Sequence, residues 1–184
     1  MAAVGDFSHC VSLPVVSPPS YPVILTKPKQ WWWYYGIDAS ALAHKLQTNN
    51  ARLISLKAYD TGAGNIRFVA AMISNTGADS KAWWWHYGQS PAQLANLAKF
   101  HNARLTTLQS YTSNGQTYYA AIMISNTGAD AKAWWWYYNV SPQSISSYLS
   151  SNKSRLLDMT PASHGNFNVT MESCSNGCPE WWWY

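Results

Sequence analysis

Charge is scarce in this chain, and the scarcity removes several classes of function. Asp, Glu, Lys and Arg make up 11% of the 184 residues, against about 25% in ordinary globular proteins. The formal net charge is +4, with Lys and Arg scattered along the chain rather than clustered. A nucleic-acid interface needs a basic stripe or patch for the phosphates, so no nucleic-acid partner is expected, although aromatic rings can stack on single-stranded bases. Long apolar runs are also missing. None reaches the roughly 18 residues that mark a membrane-spanning helix, so no membrane insertion is expected. The opening MAAVGDFSHC lacks a basic stretch followed by a long apolar one, so no secretory signal is evident. Cytoplasmic residence, non-classical secretion, or a signal already removed are the readings this leaves.

Cysteine is nearly absent: Cys10, Cys174 and Cys178. Three thiols do not make a disulfide framework. Cys174 and Cys178 flank the turn sequence Ser-Asn-Gly, so a clip between them would leave Cys10 free; three reduced thiols is the other state the spacing allows. A structural zinc site needs about four ligands, and His164 is the only His near the pair, so no metal or cofactor is expected. His9, His44, His86, His101 and His164 fall at non-equivalent positions of the repeat described next, which argues against a repeated catalytic His. No pair of carboxylates stands out as the acid and base of a glycosidase.

What the chain has in abundance is tryptophan, and its placement is regular. All 12 Trp lie in four triplets, Trp31 to Trp33, Trp83 to Trp85, Trp134 to Trp136 and Trp181 to Trp183. Successive triplets start 52, 51 and 47 residues apart (83−31, 134−83, 181−134). Arg52, Arg104 and Arg155 keep the same spacing, and Ser-Asn-Thr-Gly-Ala-Asp occurs at 74–79 and 125–130. Such periodicity marks internal duplication. One unit reads as strand, helix, strand, strand. The triplet opens an aromatic strand. A helix-start signal follows: Ser90 as cap, Pro91 in the first turn and Gln93 completing a capping box. Ser141 with Pro142 repeats it, and Asp38 takes the cap role in the first copy. Leu42 and Leu46, Leu94 and Ala98, and Ile145 and Leu149 give each helix one apolar stripe. Strands are expected at 52–59, 104–111 and 155–160, then a turn (Asn114-Gly115 is a hairpin signal), then strands at 68–74, 119–125 and 167–173. The expected fold class is α+β: a β-rich tandem-repeat domain of three to four such units in a half-barrel, barrel or closed ring with short helices outside. The expected boundaries within one domain over 1–184 are a partial unit at 1–30, units at 31–82, 83–133 and 134–180, and a closing strand at 181–184. Altered end units are common in arrays.

The sequence Trp-x-x-Tyr-x-Gly, then an amphipathic helix, then Arg-Leu-x-x-Leu-x-x-Tyr at 52–59 and 104–111, then the Tyr119-Ala120-Ala121 strand resembles the bacterial tandem repeat domain. The resemblance covers residues 31 to about 160, and the full Trp triplet exceeds the family pattern. That repeat also forms the N-terminal half of fungal polyglycine hydrolases, joined there to a serine-hydrolase domain of the β-lactamase type. The hydrolase half has no counterpart here. Ser150 to Lys153 spells Ser-x-x-Lys and Tyr137 to Asn139 spells Tyr-x-Asn, but both fall inside the repeat in the wrong chain order, and no Lys-Thr-Gly follows. The resemblance therefore implies a non-catalytic recognition module, not an enzyme.

In a strand the first and third Trp of a triplet share one face and the middle Trp takes the other. Each indole offers roughly 150–250 Å² of apolar surface, and helices of three turns do not easily cover both sets. Plain core is one reading of these rings; aromatic surface left over is a binding platform suited to pyranose sugars, whose apolar faces stack on indoles while Asn, Asp, Ser and Thr bind the hydroxyls. The expected ligand-binding residues are Trp31, Trp33, Trp83, Trp85, Trp134 and Trp136, with Asn75, Asp79, Asn126 and Asp130 beside them. Turn formation is the plain alternative for those Asn and Asp residues. The repeated Arg is expected to stack on a Trp or pair with an Asp. The function expected is that of a multivalent lectin binding glycans or glycoproteins. Recognition of an extended peptide is the alternative, and a hydrolase with an unrecognised site the second. Sequons at Asn139, Asn152 and Asn168 matter only in a secreted chain.

Overall fold

The computed structural model describes residues 30–128 and 131–174, excepting the side chain of Asp79. The expected partial unit at 1–30, Cys10, Cys178, Asp130 and the closing strand at 181–184 lie outside the described residues, Gln30 apart. Three repeats are seen in full. The first holds β1 (Trp31–Ile37), α1 (Ala39–Thr48), β2 (Ala51–Asp60) and β3 (Ile66–Ser74). The second holds β4 (Trp83–Gln89), α2 (Pro91–Phe100), β5 (Ala103–Ser113) and β6 (Gln116–Ser125). The third holds β7 (Trp134–Val140), α3 (Pro142–Asn152), β8 (Ser154–Pro161) and β9 (Phe167–Ser173). Each repeat is one antiparallel three-stranded sheet with its last strand in the middle: β1-β3-β2, β4-β6-β5 and β7-β9-β8. The unit is the strand, helix, strand, strand expected. Among the described residues the three sheets stay separate and do not close into a barrel or ring.

Local chemistry accounts for the elements. Asp38 caps α1 by accepting from the Ala41 amide at 2.8 Å. In α2 the Ser90 hydroxyl accepts from Gln93 N while Gln93 Oε1 accepts from Ser90 N, so two orphan donors of the first turn are satisfied together. Ser141 accepts from Ser144 N at the start of α3. Each helix buries the two residues its stripe predicts: Leu42 and Leu46, Leu94 and Ala98, Ile145 and Leu149. Each helix is followed by a left-handed residue, at Asn50 (φ 47), Asn102 (φ 49) and Lys153 (φ 47). Asn tolerates that conformation because its short side chain bonds locally; Lys153 does not share the advantage.

Two bulges recur in every sheet. One lies between Tyr34 and Ile37, and again between His86 and Gln89 and between Tyr137 and Val140. It contains Gly36 and Gly88, both at φ 68, and Asn139 at φ 51. The positive φ explains why Gly stands at this point of the aromatic strand in the first two copies. The Gly88 amide then donates to the Tyr111 hydroxyl at 2.9 Å, which ties the aromatic strand to the final Tyr of Arg-Leu-x-x-Leu-x-x-Tyr. The other bulge interrupts β2, β5 and β8 near their starts. Extra residues of this kind increase strand twist.

The units stack sheet on sheet. The middle indoles Trp32, Trp84 and Trp135 pack on the core of their own unit. The first and third indoles pack on the unit before. Trp83 and Trp85 lie on the core holding Leu42, Phe68 and Met72, and Trp134 and Trp136 lie on the core holding Leu94, Ala121 and Met123. Phe68 meets Trp85 edge-on at 5.8 Å between centroids, and Tyr119 meets Tyr138 at 5.6 Å. Side chains also clasp neighbouring strand edges. Gln109 of β5 accepts from Ala58 N at 2.6 Å and donates to Ala58 O at 3.0 Å. Asp158 accepts from Leu108 N at 3.1 Å, and Thr160 donates to Leu108 O at 2.7 Å. These bonds satisfy edge groups of β2 and β5 that would otherwise invite foreign strands.

Candidate functional site

The aromatic triplets are half platform and half mortar. Trp31 and Trp33 are 65% and 60% exposed, and Tyr35 beyond them is 70% exposed. Trp33 and Tyr35 stack at 5.8 Å. Trp83, Trp85, Trp134 and Trp136 are half-buried in the unit interfaces. From the sequence the indoles read either as plain core or as surplus surface facing a barrel interior, a groove or solvent. Stacking of successive units makes much of that surface core.

One interface leaves room. A cleft of about 280 Å³ between α2 and β7 is lined by Trp134 and Trp136 together with Ala98, Lys99, Asn102 and Asn126. Three of the expected ligand-binding residues, Trp134, Trp136 and Asn126, are thus brought together. The corresponding position to Ala98 in the first unit is Leu46, also buried. The smaller Ala98 side chain lines the space beside the two indoles. Asn75 and Asn126 also have a structural task. Each amide bonds both the N–H and the C=O of a residue six positions on, Lys81 for Asn75 and Lys132 for Asn126. Both therefore lock the loop that delivers the next aromatic strand, and Asn126 additionally accepts from Arg104 at 3.2 Å. The Asp79 side chain and Asp130 lie outside the described residues.

The second unit differs on the helix side too. In the first and third units a Tyr hydroxyl of the aromatic strand accepts from an Asn amide at the helix end, Asn49 to Tyr34 and Asn152 to Tyr137, each at 3.1 Å. In the second unit His86 and His101 stand at those places. His101 stacks on Trp84 at 4.4 Å and on His86 at 5.8 Å. Burial, aided by the neighbouring His101, holds His86 below its ordinary value of 6.5. Exchange of both partners together keeps the strand-to-helix contact while changing its chemistry.

The feature sequence reasoning missed is Glu172. It stands opposite Arg155 in the β8–β9 register, where the other units place Ile73 opposite Arg52 and Ile124 opposite Arg104. Its side chain is 3% exposed and meets Arg155 at 2.6 Å, Lys132 at 2.9 Å and Arg104 at 3.6 Å. Burial pushes its carboxyl up, but the Arg155 and Lys132 hydrogen bonds and charges outweigh that and hold it below the ordinary 4.5. The repeated Arg was expected to meet a Trp or an Asp; Arg104 and Arg155 instead share a Glu from the last strand. Its one sequence signal was an acidic residue in an otherwise apolar strand position.

The Ser-x-x-Lys tetrad does not assemble a nucleophile and base. The Ser150 hydroxyl donates to Ser146 O inside α3, and Lys153 is the residue that caps that helix. No group of three or more His, Cys, Asp or Glu able to hold a metal occurs among the described residues. Among them no helix is long and apolar enough to cross a membrane. Cys174 is disulfide-bonded. Compared with protein families, curated proteins and solved structures, the chain matches none.

Proposed function

We propose that this protein is a non-catalytic carbohydrate-binding repeat protein whose principal site is the cleft between α2 and β7. The observation that carries this reading is the shared wall of Trp134, Trp136, Asn102 and Asn126. Indoles offer flat apolar faces to a pyranose ring, and carboxamides supply both donors and acceptors to its hydroxyls. A small apolar site with a few convergent polar groups is the usual form of a ligand pocket. The open Trp31, Trp33 and Tyr35 face gives a second platform of the same chemistry, and two platforms on one chain gain avidity by linkage. The resemblance to the bacterial tandem repeat domain supports only the non-catalytic part of this reading, because that repeat accompanies a catalytic domain rather than being one; that the domain beside it cleaves peptides favours the extended-peptide alternative.

The test uses the repeat against itself. Ala98→Leu places in the second unit the side chain that the first unit carries at Leu46, so the fold tolerates it while the cleft fills. A glycan array and Trp fluorescence titration on the parent protein should identify a sugar that quenches or shifts emission. The Ala98→Leu variant should bind that sugar at least tenfold more weakly, with an unchanged far-ultraviolet circular dichroism spectrum. Silence across the array, together with capture of a proline-rich peptide by the same cleft, would replace the sugar with an extended peptide. Equal sugar affinity in parent and variant would remove the cleft as the site.

A further inference from the structure

The junction between the second and third units departs from the junction before it in one direction, toward uncharged polar groups. The strand register places Ser110 opposite Tyr119 where the first unit pairs Ala58 with Phe68, and Thr112 opposite Thr117 where the first unit pairs Asp60 with Ile66. In the bulge of the aromatic strand, Asn139 stands where the second unit has Gly88. Ala, Phe, Ile and Gly thus give way to Ser, Tyr, Thr and Asn, and a carboxylate gives way to Thr. All of these newcomers line one cavity of about 380 Å³. Alternation puts Ser110 with Thr112, and Thr117 with Tyr119, on one face. That face meets the third unit: the Ser110 hydroxyl accepts from Asn168 Nδ2 at 2.9 Å, and Tyr119 meets Tyr138 edge-on. Ser110 therefore keeps its proton to donate. The Asn139 oxygen accepts from the Ser163 hydroxyl at 3.1 Å and from Asn166 at 3.2 Å, which leaves its Nδ2 as the donor to spare. The Thr112, Thr117 and Tyr119 hydroxyls make no hydrogen bond among the described residues. Burial raises the Tyr119 phenol above its ordinary 10.0, so it stays neutral and able to donate. No Asp, Glu, Lys, Arg or His lines the cavity among the described residues. A charged ligand would give up its hydration there for no counter-charge, and an apolar one would leave the hydroxyls unpaired.

We propose that this cavity binds an uncharged polyhydroxy molecule of about monosaccharide size, a hexose or a hexitol. Its volume lies within the range of small-molecule sites, about 300–1,000 Å³. Hydroxyl meets hydroxyl well, because each serves as donor or acceptor as the partner requires, and Pro161 and Ala162 add an apolar edge for the carbon skeleton. No residue of the α2–β7 cleft lines this cavity, and the assignment stands whether or not that cleft binds sugar.

Titration calorimetry and saturation-transfer NMR of the full chain with glucose, galactose, mannose and sorbitol test the proposal. Saturable binding of at least one of them is expected, and its 6-phosphate should bind no more tightly. The repeat supplies variants that the fold already accommodates. Tyr119→Phe restores the residue of the other units, Phe68 and Phe167, and loses no hydrogen bond among the described residues; it should weaken binding about fivefold. Adding Thr117→Ile, which restores Ile66, should bring the loss to at least tenfold, with an unchanged melting curve. The same titrations in the Ala98→Leu chain separate this cavity from the aromatic cleft, because binding here should persist when the cleft is filled. Absence of saturable binding by any of the compounds, tighter binding of the 6-phosphate, or an affinity that the double variant leaves intact would each overturn the assignment. So would binding that disappears in Ala98→Leu, since the sugar would then sit in the cleft alone.

Discussion

Glu172→Gln is the substitution whose consequence the structure defines most sharply. The side chain keeps its shape and an acceptor oxygen but loses its charge. Arg104, with 7% of its side chain exposed, then loses the charge of one of its partners. Lys132 and Arg155 are 35% and 49% exposed, so they rehydrate and lose little, as surface pairs do. Removing one partner of a buried pair costs about 3–5 kcal/mol. The retained hydrogen bonds and the Asn126 contact to Arg104 place this case at the low end, about 3 kcal/mol. For a domain of this size that lowers the melting temperature by roughly 6–12 °C. The assay is thermal denaturation followed by circular dichroism at pH 7 and again in acid. The folded carboxyl lies below its ordinary value of 4.5, so its stabilisation is fully present above that value. It is lost as pH falls through the lowered one. Parent and variant should therefore differ at pH 7 and converge in acid. A difference under about 1 kcal/mol at pH 7, or one that persists unchanged in acid, would refute the account of Glu172 as the charge that holds the units together.

Two further substitutions probe the repeat itself. Lys153→Gly relieves a left-handed residue at φ 47, ψ 52; it should stabilise by about 1 kcal/mol, read as a raised urea midpoint, and a lowered midpoint would contradict the strain assigned there. Gln109→Ala removes the clasp on Ala58; leaving the edge amide and carbonyl of β2 without it should cost about 1–3 kcal/mol, with faster amide hydrogen exchange at Ala58, and unchanged exchange would show that the clasp does not protect that edge.

The order of elements was legible because duplication repeats each local signal three times. Ser90, Pro91 and Gln93 announce a helix start, and Leu42 with Leu46 announce the buried side. Both signals depend only on neighbours in sequence. The sheet order was not legible: the last strand of each unit takes the middle place, and nothing in Phe68 to Ser74 distinguishes a central strand from an edge. The stacking was not legible either. That Trp83 and Trp85 belong to the core of the unit before, and Trp32 to its own, depends on how sheets lie on each other. Alternation in a strand says only that two faces exist. The candidate site was half visible. Trp134, Trp136 and Asn126 do meet, but Lys99 and Asn102 join them from a helix end, and the space they share is lined by Ala98 in a position that reads as ordinary apolar stripe.

A consistent division of labour follows from comparing the copies. Positions that repeat carry the fold: the capped helix starts, the positive-φ residue within each aromatic strand, the first buried apolar residue of each helix (Leu42, Leu94 and Ile145), and the Asn that locks the loop after the first and the second unit. Selection for stacking alone would tolerate the same residue in every copy at each of them. The positions that break the repeat fall elsewhere. Ala98 replaces Leu46 beside the aromatic cleft. Glu172 replaces Ile73 and Ile124 and collects three cations. Lys57 stands where the second and third units have Gln109 and Thr160, the two residues that clasp a neighbouring edge. His86 and His101 replace a Tyr and an Asn together. Each departure costs the local regularity that the other copies keep, and burying Glu172 in particular carries a desolvation penalty that Ile would not. One of these departures, Ala98, lies on the wall of the proposed binding cleft. A duplicated scaffold gains distinct sites by such asymmetry, so the residues to change when seeking the ligands are the ones that differ between copies, not the Trp triplets that all copies share.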